Sequence, residues 1–402
     1  MAEGNDGRRP KGGLPDAVGG SARRLARSLA RRGAAPTVLV TGSTQSAVAA
    51  AATAVATSSW IKVRQADAPP TASGEKAWGI GRGPSTQAAV VPAQDEDVAD
   101  ALALSGTAVL LFGNTRDRDD AVWPAVSDAA EASPEATALA AQAELRDRVA
   151  LRQRRDVLDR GAGGVDEHPL ALGTVSIVCA TNRPEELGNV LENAARQRGV
   201  AVQLVLVTHG FAADVAALAA FRAEHPAVEV VPVEADRSLT LGSCLNLGID
   251  AAGGDDIVKM DDDNFYGANF LLDLARDLRL SGAGLTGKRA HLVHLSASGA
   301  LVLRFADAEN SWAKMVQGGT MYFKGDLIRD LRFSDIPRAV DTDVLNRLNA
   351  DGVGVYSSDR FNFVSVRAAD PHSHTWKVTD ATMLTPTGRL ITYGDPRAHA
   401  EV

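Results

Sequence analysis

The stretch from residue 173 to 260 constrains the fold more than any other. Short apolar runs alternate there with helical patterns: Val175-Ser176-Ile177-Val178-Cys179-Ala180, a helix carrying Leu187, Val190, Leu191 and Ala194, Val202–Val207, a helix around Ala213–Ala223, Val228–Val233, Leu241–Ala252, and Asp256-Ile257-Val258-Lys259-Met260. The first run is almost free of polar residues, which suits a strand buried on both faces of a parallel sheet. The apolar positions of the first helix recur at i, i+3, i+4 and i+7. Pro184 in its first turn and Gly199 after its end mark both termini. The expectation is a doubly wound α/β sheet whose ligand lies beyond the C-terminal strand ends.

With 402 residues the chain exceeds one typical domain, and two are expected. Charged residues make up 23% and hydrophobic ones 45%, as in folded globular proteins. Acidic residues outnumber basic ones, 50 against 42, and a net charge of -8 argues against nucleic acid as a partner. Two cysteines, Cys179 and Cys244, make neither a disulfide framework nor a four-cysteine zinc site, which fits a reducing cytoplasm. No apolar run is long enough to span a membrane and no secretory signal is expected, so membrane contact would be peripheral, at the inner face.

Four regions follow. Residues 1–34 form an arm with Arg23, Arg24, Arg27, Arg31 and Arg32 around a weakly amphipathic helix, suited to anionic lipid or to solvent over the next domain. Residues 35–160 alternate strand and helix as a small α/β domain of unknown role and end in a helix over Pro134–Asp159. The turn Thr41-Gly42-Ser43-Thr44 stands where backbone N–H groups could cradle an anion, or is an ordinary strand-to-helix turn. Gly161-Ala162-Gly163-Gly164 is the linker, residues 173–385 form the second domain and 386–402 a tail.

Asp261-Asp262-Asp263-Asn264 follows directly on the strand ending at Met260 and precedes a helix over Asn269–Leu280. Adjacent carboxylates repel one another unless a cation offsets the charge. Hard oxygen ligands suit Mn2+ or Mg2+. An acidic turn that caps the next helix is the structural alternative.

Residues 173–377 resemble a family 2 glycosyltransferase of GT-A fold, an inverting enzyme that uses nucleotide-sugar donors. Thr181-Asn182-Arg183-Pro184 is similar to the family's T-x-N-R-P turn, and Leu241-Gly242-Ser243-Cys244-Leu245-Asn246-Leu247-Gly248 to its donor-side helix. Asp261-Asp262-Asp263 takes the place of the DxD motif, and Val340-Asp341-Thr342-Asp343 with Arg347-Leu348 resembles the downstream acidic segment. The resemblance implies a C-terminal GT-A domain, Rossmann-like with a mixed sheet. It implies Asp261 and Asp263 as metal ligands, with Asp262 beside them, and leaves open which carboxylate meets the ribose. Asp341 aligns with the general base and Asp343 is the alternate; Asp341 would also serve as a helix N-cap. Donor contacts are implied for Thr181, Arg183, Pro184, Gly242, Asn246 and Gly319.

His209 stands where family members carry a base-binding Asp, so it meets the base or is a turn residue; Asp236 is a second candidate for that contact. Gly318-Gly319-Thr320-Met321-Tyr322-Phe323 reads as a strand along which the backbone approaches the donor sugar. In the segment His372-Ser373-His374-Thr375-Trp376, His374 is the candidate third metal ligand. His291, His294 and Trp312 fall on the acceptor side. The implied activity moves a sugar from a nucleotide-sugar donor to a glycan or other hydroxyl acceptor, in cell-surface polysaccharide or glycoconjugate assembly. A non-catalytic GT-A-like nucleotide- or glycan-binding protein is the alternative, and a sugar-phosphate nucleotidyltransferase a weaker third.

Overall fold

The structure is a computed structural model. It describes residues 172–369 and 387–402 throughout and, elsewhere, 37–40, 62–65, 88–92, 99–100, 103, 108–112, 123, 125–126, 143–159 and 382–383. The arginine-bearing arm, the Thr41–Thr44 turn, the Gly161–Gly164 linker and His374 lie outside these residues.

The chain divides into two compact units, with the break at 165/166. In the first, β1 (Thr37–Val40), β2 (Lys62–Gln65), β3 (Ala88–Pro92), β4 (Ala108–Phe112) and β5 (Ala125–Val126) form a sheet in the order β2-β1-β3-β4-β5. All four pairings are parallel. Helix α1 (Ala143–Asp159) is tied to it by Gln153, whose amide exchanges two 2.8 Å hydrogen bonds with the Val109 backbone.

The second unit begins with the expected alternation: β6 (Thr174–Thr181), α2 (Leu187–Arg196), β7 (Ala201–His209), α3 (Val215–Glu224), β8 (Val228–Ala235), α4 (Leu241–Ala251) and β9 (Asp256–Lys259). Next come β10 (Phe265–Tyr266), α5 (Phe270–Ser281), β11 (Leu285–Gly287), β12 (His291–Leu295), β13 (Ala300–Arg304), β14 (Ser311–Trp312) and β15 (Met321–Lys324). The remainder is α6 (Gly325–Leu331), α7 (Val340–Ala350), β16 (Val355–Ser357), β17 (Phe363–Arg367), β18 (Gly388–Tyr393) and α8 (Arg397–Ala400).

The main sheet has eight strands in the order β14-β16-β11-β15-β9-β6-β7-β8. Strands β6 to β9 pair in parallel, while β15 runs antiparallel to both β9 and β11. This is the doubly wound sheet that the alternation implied, with an antiparallel strand among the parallel ones. The strand order reverses between β6 and β9, so a crevice opens there beyond the C-terminal ends. Along β6 the side chains alternate: Val175, Ile177 and Cys179 enter one core with Leu187, Val190 and Leu191 of α2, and Val178 enters the other with Cys244, Leu245 and Ile249 of α4. Both faces are covered, which is why the run reads as continuously apolar. Both cysteines are buried and unbridged.

A second, five-stranded sheet, β10-β17-β12-β13-β18, stands beside it. His291 on β12 is 7% exposed, packs near Phe305 and Phe363, and shares a 2.9 Å hydrogen bond between Nδ1 and the Arg289 carbonyl. Burial pulls its pKa down from 6.5 to about 4. The folded imidazole therefore stays neutral where the unfolded one takes up a proton. Stability should fall as pH drops from 6.5 towards 4, by up to about 3 kcal/mol. Denaturant unfolding of wild type and His291→Leu at pH 7 and pH 4.5 checks this: the variant should lose that part of the pH dependence, and an unchanged slope would rule it out.

Candidate active site

The C-terminal ends of β6 and β9 bring Thr181 and Asp262 side by side at the reversal. Repulsion keeps three consecutive carboxylates apart unless cations separate them, and two cations do. Arg183, in the turn after β6, forks onto Asp262, with Nη2 against Oδ1 and Nε 3.0 Å from Oδ2, and reaches Asp263 Oδ2 at 2.9 Å. Burial alone would lower its pKa, and the bonds and charge of Asp262 and Asp263 more than reverse that. Asp262 Oδ2 also accepts from Thr181 Oγ1 at 2.5 Å. Both its oxygens are occupied and the residue is buried.

The second cation is Lys259, the last residue of β9 and 5% exposed. Its Nζ lies 2.6 Å from Asp261 Oδ1 and 3.2 Å from Asp341 Oδ1. Burial lowers its pKa, and the carboxylates of Asp261 and Asp341 outweigh that and raise it. The contact with Asp341 is an ion pair without hydrogen-bond alignment, so that buried oxygen has no hydrogen-bond partner. Burial in turn raises the Asp341 pKa, opposed by Lys259 and reinforced by Asp261. The Asp341 side chain is still 34% exposed, so burial applies to its inner oxygen and the outer one faces the crevice.

Asp261 and Asp341 come together at one turn. Residues Gly318–Thr320 form a 3-10 turn immediately before β15, whose Met321 pairs with Lys259. A Cβ on Gly318 would collide with Asp341 Oδ2, and one on Gly319 would come within 2.6 Å of Asp261 Oδ2. The two glycines let both carboxylates approach the same backbone. Tyr266, fully buried, fixes the other side: its hydroxyl accepts from Asp261 N and donates to the Gly319 carbonyl, both at 2.8 Å. Helix α2 clamps the acidic loop, with Asn189 Nδ2 on the Asp262 carbonyl at 2.6 Å and Asn193 bridging the Asn264 carbonyl and Tyr266 N.

The other expected residues fall as follows. Pro184 is the first residue of the 3-10 turn Pro184–Glu186, beside Arg183. Asn246 gives its amide to the Phe333 backbone, accepting at 3.0 Å and donating at 2.8 Å. At Gly242 a Cβ would strike the Ser334 carbonyl, so packing alone requires glycine there. Asp343 accepts from Ser334 Oγ at 2.7 Å and from Arg347 Nε at 3.0 Å, both on Oδ2. Asp341 is not the N-cap of α7; Ala339 is, and no side chain caps that end. His209 Nε2 lies 3.2 Å from the Arg237 carbonyl at the end of β7. Asp236 is bound within its own loop, to Ser238 N at 2.8 Å and Oγ at 2.6 Å. Gly318–Thr320 is a turn where a strand was expected.

Lys259, Tyr266, Asn189 and Asn193 went unmarked in the sequence. Asn193 carried the one legible signal, a polar residue next to the apolar stripe and one helical turn from Asn189.

Among the described residues no three acidic, histidine or cysteine side chains converge as a finished metal cage. The charge balance does fit a dication: Asp261, Asp262, Asp263 and Asp341 contribute four negative charges against two positive ones from Arg183 and Lys259, which leaves two uncompensated. Burial and the neighbouring Asp261 charge raise the Asp263 pKa, a strain that a cation would relieve.

No protein-family model matches the chain, and no curated protein does. Among solved structures it is similar to the mannosyltransferase PcManGT from Pyrobaculum calidifontis in complex with GDP-Man and Mn2+, with 18% identity and a TM-score of 0.40 over 50% of this chain and 59% of that one. It is similar to S. aureus TarS 1-349 in complex with UDP-GlcNAc, with 15% identity and a TM-score of 0.39 over 51% and 62%. It is also similar to GalNAc-T7 with UDP, GalNAc and Mn2+, with 12% identity and a TM-score of 0.39 over 50% and 45%. The chain thus spans less than two thirds of each.

Replacing Lys259 with Met leaves Asp261 and Asp341 without their shared cation. Loss of one partner from a buried pair costs about 3–5 kcal/mol. Thermal melts should show that drop, and Mn2+ should raise the melting temperature of Lys259→Met by more than that of wild type. An equal response to Mn2+ in both would refute the charge balance.

Proposed function

We propose that the second unit transfers a glycosyl group from a nucleotide-sugar donor to an acceptor hydroxyl, with Mn2+ or Mg2+ on the donor side and Asp341 as general base. The meeting of Asp261 and Asp341 at the Gly318–Gly319 turn carries this reading. Glycosyl transfer needs one carboxylate facing the diphosphate and another, within reach of the same anomeric carbon, to take the acceptor's proton. Asp261 and Asp263 would hold the cation. A cation held there would supply Lewis-acid stabilisation of the charge that gathers on the leaving nucleoside diphosphate.

Asp262 has a different task. Locked by Arg183 and Thr181, it holds the turn after β6 against the acidic loop, and Arg183 also fixes Asp263 through Oδ2. Asp341 accepts the hydroxyl proton on its outer oxygen, while Lys259 keeps the inner one in place. A single base carboxylate supports one displacement at the anomeric carbon and therefore inversion. The family resemblance adds a glycan or other hydroxyl acceptor and a role in cell-surface polysaccharide or glycoconjugate assembly. Among the described residues no helix is long and apolar enough to cross a membrane. A cytoplasmic place with peripheral contact at the inner membrane face belongs to the same proposal.

A second reading, a nucleotide- or glycan-binding protein without turnover, draws on the carboxylates being engaged by protein cations and on the incomplete cage. Donor consumption separates the two. UDP or GDP with Mn2+ should raise the melting temperature of wild type by mass action and leave Asp263→Ala unmoved. Asp341→Asn should lower kcat by about 10²–10⁴ with little change in donor KM, and Asp343→Asn should stay within a few-fold of wild type. Full turnover by Asp341→Asn would sink the assignment of the base.

A protonated Asp341 accepts no proton, and its pKa lies above the usual 3.8. The acid limb of kcat/KM should therefore fall at a pH above the ordinary carboxylate range, and a limb at or below 3.8 would contradict it.

A further inference from the structure

A cavity of about 290 Å³ opens on the second unit, its wall including Arg289, Asp307, Ser311, Trp312, Lys314 and Met315. None of these residues belongs to the acidic site. Trp312 is 53% exposed, yet its ring is fixed. It meets Tyr356 edge-on at 5.7 Å, and β14 pairs with β16 so that the two residues stand opposite. Gly354 lies beneath it, where a Cβ would come within 2.6 Å of the indole. A rigid, exposed indole is a flat platform that loses little freedom when a ligand settles on it.

Arg289 is the second built element. Its guanidinium stacks 3.7 Å over the Phe305 ring, and burial lowers its pKa without any carboxylate to oppose the shift. Phe305 itself has φ 53°, a conformation that a bulky residue holds only when its surroundings impose it. Arg304 stacks on the same ring at 4.7 Å. A half-buried guanidinium with no acidic partner among the described residues favours an incoming anion. Lys314 adds a second positive charge and Asp307 contributes the single negative one, so the wall carries a net charge of +1.

Position ties the cavity to the base. Met315 stands three residues before Gly318, a span of at most about 11 Å of extended chain, and Gly318 abuts Asp341. A sugar has a face of C–H groups that suits an indole, and the volume lies near the lower end for ligand pockets, about that of one ring with a charged substituent. We propose that this cavity anchors the acceptor, and that the acceptor is an anionic sugar whose ring lies on Trp312 while Arg289 and Lys314 hold its phosphate or carboxylate. The word acceptor rests on the glycosyl-transfer reading; the binding of an anionic sugar does not.

The test is a titration of the full chain with glucose 1-phosphate, glucuronate and glucose, read by tryptophan fluorescence, with EDTA present to keep cations from the diphosphate side. The expected result is a saturable change with an anionic sugar, at least tenfold tighter than with glucose, and the phosphate and carboxylate arms identify the anion. Arg289→Gln and Lys314→Gln should each weaken the anionic sugar, the former at least tenfold. Trp312→Ala should abolish the signal. Gly354→Ala should also weaken binding, although it removes no ligand contact.

The melting-temperature shift with UDP or GDP and Mn2+ should persist in all four variants. Equal binding of glucose and the charged sugars, insensitivity to Arg289→Gln, or no saturable change into the millimolar range would each overturn the proposal. In the wild-type chain, absence of a sugar signal with the nucleotide shift present overturns the cavity alone. Loss of the nucleotide shift with sugar binding intact overturns the glycosyl-transfer reading alone.

Discussion

Four carboxylates share the crevice edge with two cations, and the placement of those cations decides what each carboxylate can do. Arg183 takes both oxygens of Asp262 and one of Asp263, which turns the middle aspartate into a structural group. Lys259 holds the inner oxygens of Asp261 and Asp341, which leaves their outer oxygens towards the Gly318–Gly319 turn. In a partly buried site such pairs are screened little, so their geometry is set before any ligand arrives. Two negative charges remain, a balance that fits a dication.

The packing around these charges supplies the rigidity they need. Helix α2 does two jobs with one sequence: Leu187, Val190, Leu191 and Ala194 enter the core against β6, while Asn189 and Asn193 reach over the loop after β9. Tyr266 is buried with Phe270 and Phe363, and its hydroxyl links Asp261 to Gly319. Its apolar body belongs to the core and its polar tip to the site, so strain in one is felt in the other.

The legible part of the site was local. Asp261-Asp262-Asp263 stood out because carboxylates follow at once on an apolar run, and Arg183-Pro184 because a proline opened a helix after a strand. Gly242 and Asn246 stood out as landmarks of their segment, but their packing partners did not: one makes room for the Ser334 carbonyl and the other clamps the Phe333 backbone. Lys259 was illegible because a lysine ending an apolar strand reads as a snorkelling surface residue. Its meaning comes from Asp341, which lies far along the chain. Gly318–Thr320 reads as part of a strand because Met321–Phe323 is one, and only the 3-10 hydrogen bonding separates them.

By itself the sequence determined the alternation of strand and helix from Val175 to Lys259, the burial of β6 on both faces and the acidic cluster at a strand end, because periodicity and turn chemistry act over a few residues. The tertiary structure decided which acids are free and which are held. It laid β15 antiparallel beside β9, which brought the Gly318–Gly319 turn to Asp261, and it set the start of α7 so that Asp341 met Lys259 while Asp343 turned to Arg347. Those outcomes depend on contacts between segments distant in the chain, and charge compensation exists only where such segments meet.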